Sequence, residues 1–218
     1  MILVSENNIP AQDVAARIAA DTLAKRGPDY TNEVRRLLDA ALAIMSKHGT
    51  TARARVADIV AAAGVSNDTF YRHFPSKDAL VIALLEDGTE RLASYIAHQM
   101  GKEAAPERKV RRWVEGVLSQ TREEAATTTL AVLWNGSSIG TGVTAGRHNA
   151  STPLAALLHE PFAALGSTNP AMDASLVAHG TLGKVADYLW ARQRPTKGEV
   201  EHITEFCIRA ASTHRVKQ

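Results

Sequence analysis

Between Val65 and Lys77 the chain sets Ser66, Asn67, Asp68, Thr69, Tyr71, Arg72 and His73 around three apolar residues, Val65, Phe70 and Phe74. All seven side chains are short or hydrogen-bonding, and a helix that serves packing alone rarely keeps so many donors and acceptors around so few anchors. Their chemistry is recognition. An asparagine amide pairs with the edge of adenine, a carboxylate accepts from a cytosine amino group, and Ser, Tyr, Arg and Lys side chains bond phosphate oxygens. Asp68 has two readings at this point, a cytosine acceptor or a helix-dipole residue in the first turn.

Covalent and metal chemistry find no comparable pattern. The eight histidines are scattered, and His159-Glu160 lacks the second histidine of a zinc protease motif. No Gly-x-Ser-x-Gly elbow occurs. Cys207 is the single cysteine, so neither an internal disulfide nor a structural zinc site is expected. Gly140 to Ala145 matches the loose pattern G-x-G-x-x-A, but no strand signal precedes it, so it reads as a loop and no cofactor is expected.

The elements that position the polar cluster are helices. Apolar residues recur at spacings of three and four, β-branched alternation is absent, and aromatics are 5% of the chain, which reads as all-α. Val34, Leu37, Leu38, Ala41, Leu42 and Met45 line one stripe of a helix that His48-Gly49 ends. A shorter helix spans about 56–63, Gly64 supplies a turn, and Ser66 caps the next helix. A long fourth helix starts after Pro75 with Ser76 as cap and reaches about Gln99. Further helices are expected near 106–122 and 124–135, then from Thr152-Pro153, from Asn169-Pro170, and from Thr196 with Glu199 in capping-box spacing. That makes nine helices from residue 31 on, with a loop over 136–150. A helix with a tight turn before it projects its first residues into a DNA major groove, which is about 12 Å wide and just admits a helix.

The net charge of +2 announces no partner, but from Lys47 to Lys77 five bases face two acids, a local excess of +3 that suits phosphate. No apolar run is long enough for a signal peptide or a membrane span, so a cytoplasmic protein with no membrane partner is expected.

Gly64-Val65-Ser66, then Thr69-Phe70-Tyr71-Arg72-His73-Phe74-Pro75-Ser76-Lys77 and Leu80, resembles the TetR family of bacterial transcription regulators over roughly 34–84. The resemblance implies an N-terminal three-helix helix-turn-helix DNA-binding domain. A long helix joins it to a C-terminal helical domain for effector binding and dimerisation. The corresponding division is an extension at 1–30, a DNA-binding domain at 31–78 and a ligand-binding and dimerisation domain at 79–218. By position, Tyr71 and Lys77 look like the family's phosphate clamps, and Arg55 and Ser66 stand where helix N-termini approach the backbone. Family members often have Thr or Ser where this chain has Arg55. Asn67, Asp68 and Thr69 occupy the base-reading stretch, with His73, and Arg72 lies beside them.

The resemblance also implies an effector pocket, for which Trp113, Leu130, Leu133, Trp134, Leu158 and Phe162 are candidates, with Asn135, Thr141 and His148 as polar partners. Ordinary helix packing is the alternative for the apolar set. Leu182, Val185, Leu189 and Trp190 form one stripe, and Ile203 and Cys207 belong to a second with Phe206 beside it. These two helices resemble the family's four-helix dimer interface, or else bury their stripes within the monomer. Residues 1–30 exceed what the fold needs. They form an extra helix near 11–26 or an arm reaching DNA through Lys25 and Arg26, although the segment's acids offset its bases.

The expected protein is a homodimeric, non-enzymatic regulator of double-stranded DNA, a repressor released from a palindromic operator by a small apolar effector. The fourth helix is its expected lever. An activator of the same fold, or a small-molecule-binding protein or enzyme retaining the DNA reader, are the alternatives.

Overall fold

The computed structural model describes residues 29–136 and 151–212, together with Ile18. The expectations for a helix near 11–26, for Lys25 and Arg26, for Gly140 to Ala145, and for Thr141 and His148 lie outside the described residues.

The first helix, α1 (Asp29–His48), buries Val34, Leu37, Leu38, Ala41 and Met45 along the expected stripe, and Gly49 turns the chain at φ +55°. Helix α2 (Val56–Ala63) buries Ile59, Val60 and Ala63 and stops at Gly64, whose φ of 63° is left-handed. There the Val65 N–H donates to Val60 O at 3.0 Å, a closure that suits glycine because no Cβ opposes it. Helix α3 (Asn67–His73) starts on Ser66, whose hydroxyl accepts from Thr69 N–H at 3.1 Å. Helix α4 (Lys77–Met100) starts on Ser76 in the same way, with Asp78 in its first turn.

Pro106 opens α5 (Pro106–Leu118), a 3-10 turn follows at Ser119–Thr121, and α6 (Glu123–Asn135) ends the segment. The helix expected from Thr152-Pro153 is broken into α7 (Ser151–Ala156) and α8 (His159–Ala164). Pro161 explains the break: it has no N–H to give Leu157, and its ring would meet that carbonyl in a continuous helix. Asn169 caps α9 (Pro170–Ala191), and Thr196 with Glu199 forms the expected capping box on α10 (Lys197–Ala211). The described residues contain no strand.

Two apolar cores result, and α4 passes through both. Leu80, Val81, Ala83 and Leu84 pack with α1, α2 and α3, whereas Ala93, Ile96 and Met100 pack with α5 and α7 to α10. The first core also takes Ala131 and Val132 from α6, so this later helix ends under the helix-turn-helix.

Candidate nucleic-acid interface and ligand cavity

Helix phase decides which polar side chains of α3 face outward. Residues 67, 68, 71 and 72 share one face, and Asn67, Asp68, Tyr71 and Arg72 are all exposed there. Tyr71 is 56% exposed, its ring edge-on to Phe70 at 5.1 Å, so a buried anchor steadies a hydroxyl that stands free. Arg55, with a side chain 82% exposed, begins α2 and donates from Nε to Asp58 Oδ2 at 3.2 Å. The Lys77 ammonium is half-buried and donates to Ala54 O at 3.4 Å. Burial, and then the neighbouring Arg53 charge, hold its pKa below the usual lysine value.

Two expected base readers fall on the other face. The His73 side chain is fully buried and donates from Nε2 to Glu33 Oε2 at 2.8 Å, its ring edge-on to Tyr30 at 5.3 Å. It is a packing residue, because α3 turns position 73 inward beside Phe70. Thr69 is buried as well, its Oγ1 3.1 Å from the Ser66 cap. Ser66 itself spends its hydroxyl on the Thr69 N–H, although it remains exposed at the helix start. Arg72 lies on the rim, 3.6 Å from Glu33 and 5.4 Å from the Tyr30 ring centroid. Sequence reasoning missed Glu33, which orients both Arg72 and His73 from 40 positions away in the case of His73; its only local signal is an acid beside the apolar stripe of α1.

Behind this surface lies a cavity of about 630 Å³, walled mainly by apolar side chains. It reaches from Leu42 on α1 and Leu84 on α4, past Val132 and Leu133 on α6, to Leu154 on α7 and Leu189 on α9. Asp87 and Arg91, an ion pair one turn apart on α4, supply its charge together with Glu124. Of the six expected effector residues, Leu133 lines this cavity. Trp113, Leu158 and Phe162 are fully buried in the second core, and the Trp113 indole donates to Leu154 O at 2.8 Å. Trp134 packs on Trp190 at 6.4 Å, and Leu130 borders a smaller hollow beside Gly49 and Thr50. Asn135 is no ligand partner here: its Oδ1 accepts from the Ala54 N–H at 2.8 Å and its Nδ2 donates to Ala131 O at 3.0 Å.

The expected dimer stripe also divides. Leu182, Val185 and Leu189 line the cavity, and Cys207 is fully buried in the second core. Burial pushes the Cys207 thiol up to about 11. What α9 and α10 leave uncovered keeps two residues of the expected set, Trp190 exposed and Ile203 half-buried in a groove beside Gly180, and adds Met172, Leu176 and Phe206, all exposed. Among the described residues no group of three metal-ligating side chains occurs, and no helix is long and apolar enough to cross a membrane.

A capped recognition helix with a free polar face, braced by α2 through a left-handed glycine, defines a helix-turn-helix DNA-binding protein with an attached helical domain. Residues 37–84 match the model of the bacterial regulatory proteins of the tetR family, so the chain carries a TetR-family DNA-binding domain. Solved structures extend the likeness beyond that domain. The fatty acid degradation regulator FadR from Bacillus halodurans is 18% identical, with a TM-score of 0.52 over 89% of this chain and 100% of its own. A structure described as a TetR-family transcriptional regulator from Mesorhizobium loti is 18% identical, with a TM-score of 0.56 over 82% and 94%. FadR from Bacillus subtilis, solved with stearoyl-CoA, is 15% identical, with a TM-score of 0.51 over 82% and 97%. At these identities the likeness is one of fold. No curated protein sequence matches the chain.

Proposed function

We propose that the chain is a homodimeric transcription repressor of the cytoplasm that leaves a palindromic operator when a small apolar molecule fills the α4–α6–α9 cavity. The observation that carries this reading is the shared wall. The cavity holding Leu133 and Leu189 also touches Leu42 of α1 and Leu84 of α4, both of which pack in or against the core that carries the helix-turn-helix. An occupant therefore meets the reading unit directly. Its apolar lining favours a hydrocarbon-rich ligand, and the stearoyl-CoA of one structural neighbour is consistent with that class.

In this reading Asn67 and Asp68 read bases, while Tyr71, Lys77, Arg55 and Ser66 hold phosphate. Release requires the occupant to bind the two conformations with different affinity, typically by ~1–3 kcal/mol. No turnover of the ligand is involved.

Selection of bound sequences from random double-stranded DNA tests the proposal. The expected product is a palindrome with half-sites about one helical turn apart, bound with an affinity that falls steeply as salt rises. Recovery of no enriched sequence would remove the operator reading.

A further inference from the structure

The Ala54 peptide lies in the turn between α1 and α2 and is held on both sides. Its N–H donates to Asn135 Oδ1 at 2.8 Å and its C=O accepts from Lys77 Nζ at 3.4 Å. Asn135 is 81 positions away, at the last residue of α6, and is 1% exposed. Ala54 is equally shielded, so water does not replace the Asn135 carbonyl if it withdraws. The amide is fixed at its other end by Ala131 O, which makes it part of α6 rather than a mobile side chain.

The residue after Ala54 is Arg55, the N-cap of α2. Its side chain makes no capping hydrogen bond, and its carbonyl accepts from Asp58 N–H and Ile59 N–H, both at 3.1 Å. The direction of α2 therefore depends on the setting of the 54–55 backbone, and α2 braces α3 through Gly64. Along its length α6 is a cavity wall, with Thr128, Thr129, Val132 and Leu133 on the lining. Val132 and Leu133 lie within one turn of Asn135. A second wall ends on the same turn: beyond Leu189 of α9, the Arg192 guanidinium donates to Thr50 Oγ1 at 3.2 Å.

We propose that Asn135 is a positioning residue for DNA recognition: it sets the Ala54 peptide at the start of α2, and a cavity occupant weakens DNA binding by drawing α6 and Asn135 away from it. This rests on the ligand-responsive regulator reading. It routes the signal through α6, where the sequence alone pointed to α4 as lever.

The test supplies its own occupant. In full-length Thr128→Cys protein, hexyl methanethiosulfonate converts the new thiol to a mixed disulfide, releases methanesulfinate and leaves a six-carbon chain in the cavity, while buried Cys207 stays protected. Affinity for the selected operator is read by fluorescence anisotropy, and the Ala54 amide by hydrogen exchange. The expected result is operator binding ~10-fold weaker after modification, with faster exchange at Ala54. Asn135→Leu should weaken binding by a similar factor without any tether, and in the double variant the tether should add little. Loss of operator binding with Ala54 protection unchanged would overturn the proposal, as would a full additional tenfold loss in the double variant. A tether that leaves operator affinity intact in the Thr128→Cys protein would instead sink the ligand-response reading, and the coupling with it. If Asn135→Leu does not fold, the exchange result in the Thr128→Cys protein decides.

Discussion

Asn67 and His73 carry comparable hydrogen-bonding groups on one short helix, yet the structure gives them opposite duties. Asn67 is exposed at the first turn, whereas the His73 ring is sealed against Tyr30 with its Nε2 on Glu33. Asn67→Ala should therefore lose ~1–3 kcal/mol of discrimination at one base position while leaving the melting temperature unchanged. His73→Ala should leave base preference as it is and lower stability by ~1–3 kcal/mol, because the Glu33 carboxylate loses its closest partner. Binding profiles on operator variants together with thermal melts separate the two outcomes; a changed base preference in the His73 variant would return that residue to the interface. The polar cluster itself was legible in sequence, because apolar anchors at Val65, Phe70 and Phe74 framed it. Which members face outward was not, since that depends on the phase of α3 against Tyr30 and Glu33 on a distant helix.

Helices α4 and α5 meet where Gly116 faces Ile96, and a Cβ on Gly116 would lie 2.5 Å from Ile96 Cγ1. Ile96 is fully buried and cannot swing clear, so Gly116→Ala should cost ~1–3 kcal/mol by overpacking. Denaturant titration checks this, and an unchanged midpoint would show that the helices separate freely. At α10 the capping box sets a pH dependence. The Glu199 carboxylate is held below its usual pKa first by the Thr196 N–H, then by the Thr196 hydroxyl and the Tyr188 hydroxyl. A depressed folded pKa adds stability above the unfolded carboxylate pKa and loses it as pH falls through the folded value. Thr196→Ala removes the hydroxyl share of this hold and should lower stability at neutral pH, with the gap to the wild type narrowing in acid, as melts across pH would show. The capping box was readable because it is local, as were the helix starts at Pro106 and Asn169. The stripe of Leu182, Val185 and Leu189 was readable as a face turned inward, but period alone names no partner, and all three residues line the cavity. Likewise Asn135 gives no sequence sign of its bond to Ala54, a pairing made only when α6 folds back under α1.

At the scale of the molecule, four of the exposed large apolar side chains, Met172, Leu176, Trp190 and Phe206, fall on one pair of helices, α9 and α10. Leu176 is 65% exposed, Met172 and Phe206 stand nearby in the α9–α10 layer, and Gly180 and Gly183 have open space where a side chain would be. An uncovered face of this kind at glycine positions permits close approach of a two-fold-related helix pair, and a stable dimer needs about 800 Å² from each partner. DNA reading supplies the reason for such a pairing. One α3 presents few phosphate contacts, while two related by a dyad read half-sites roughly 34–36 Å apart and combine their affinities. Carboxylates introduced at Leu176 and Phe206 should then repel across the dyad without disturbing either core, because both side chains already face outward. The Leu176→Glu, Phe206→Glu protein is expected to keep its helical circular dichroism and run as a monomer in light scattering. It should bind the palindromic operator at least ~100-fold more weakly while retaining feeble affinity for a single half-site. A protein that stays dimeric after both substitutions would place its dyad elsewhere on the surface, and the spacing expected of its operator would have to be derived afresh from that face.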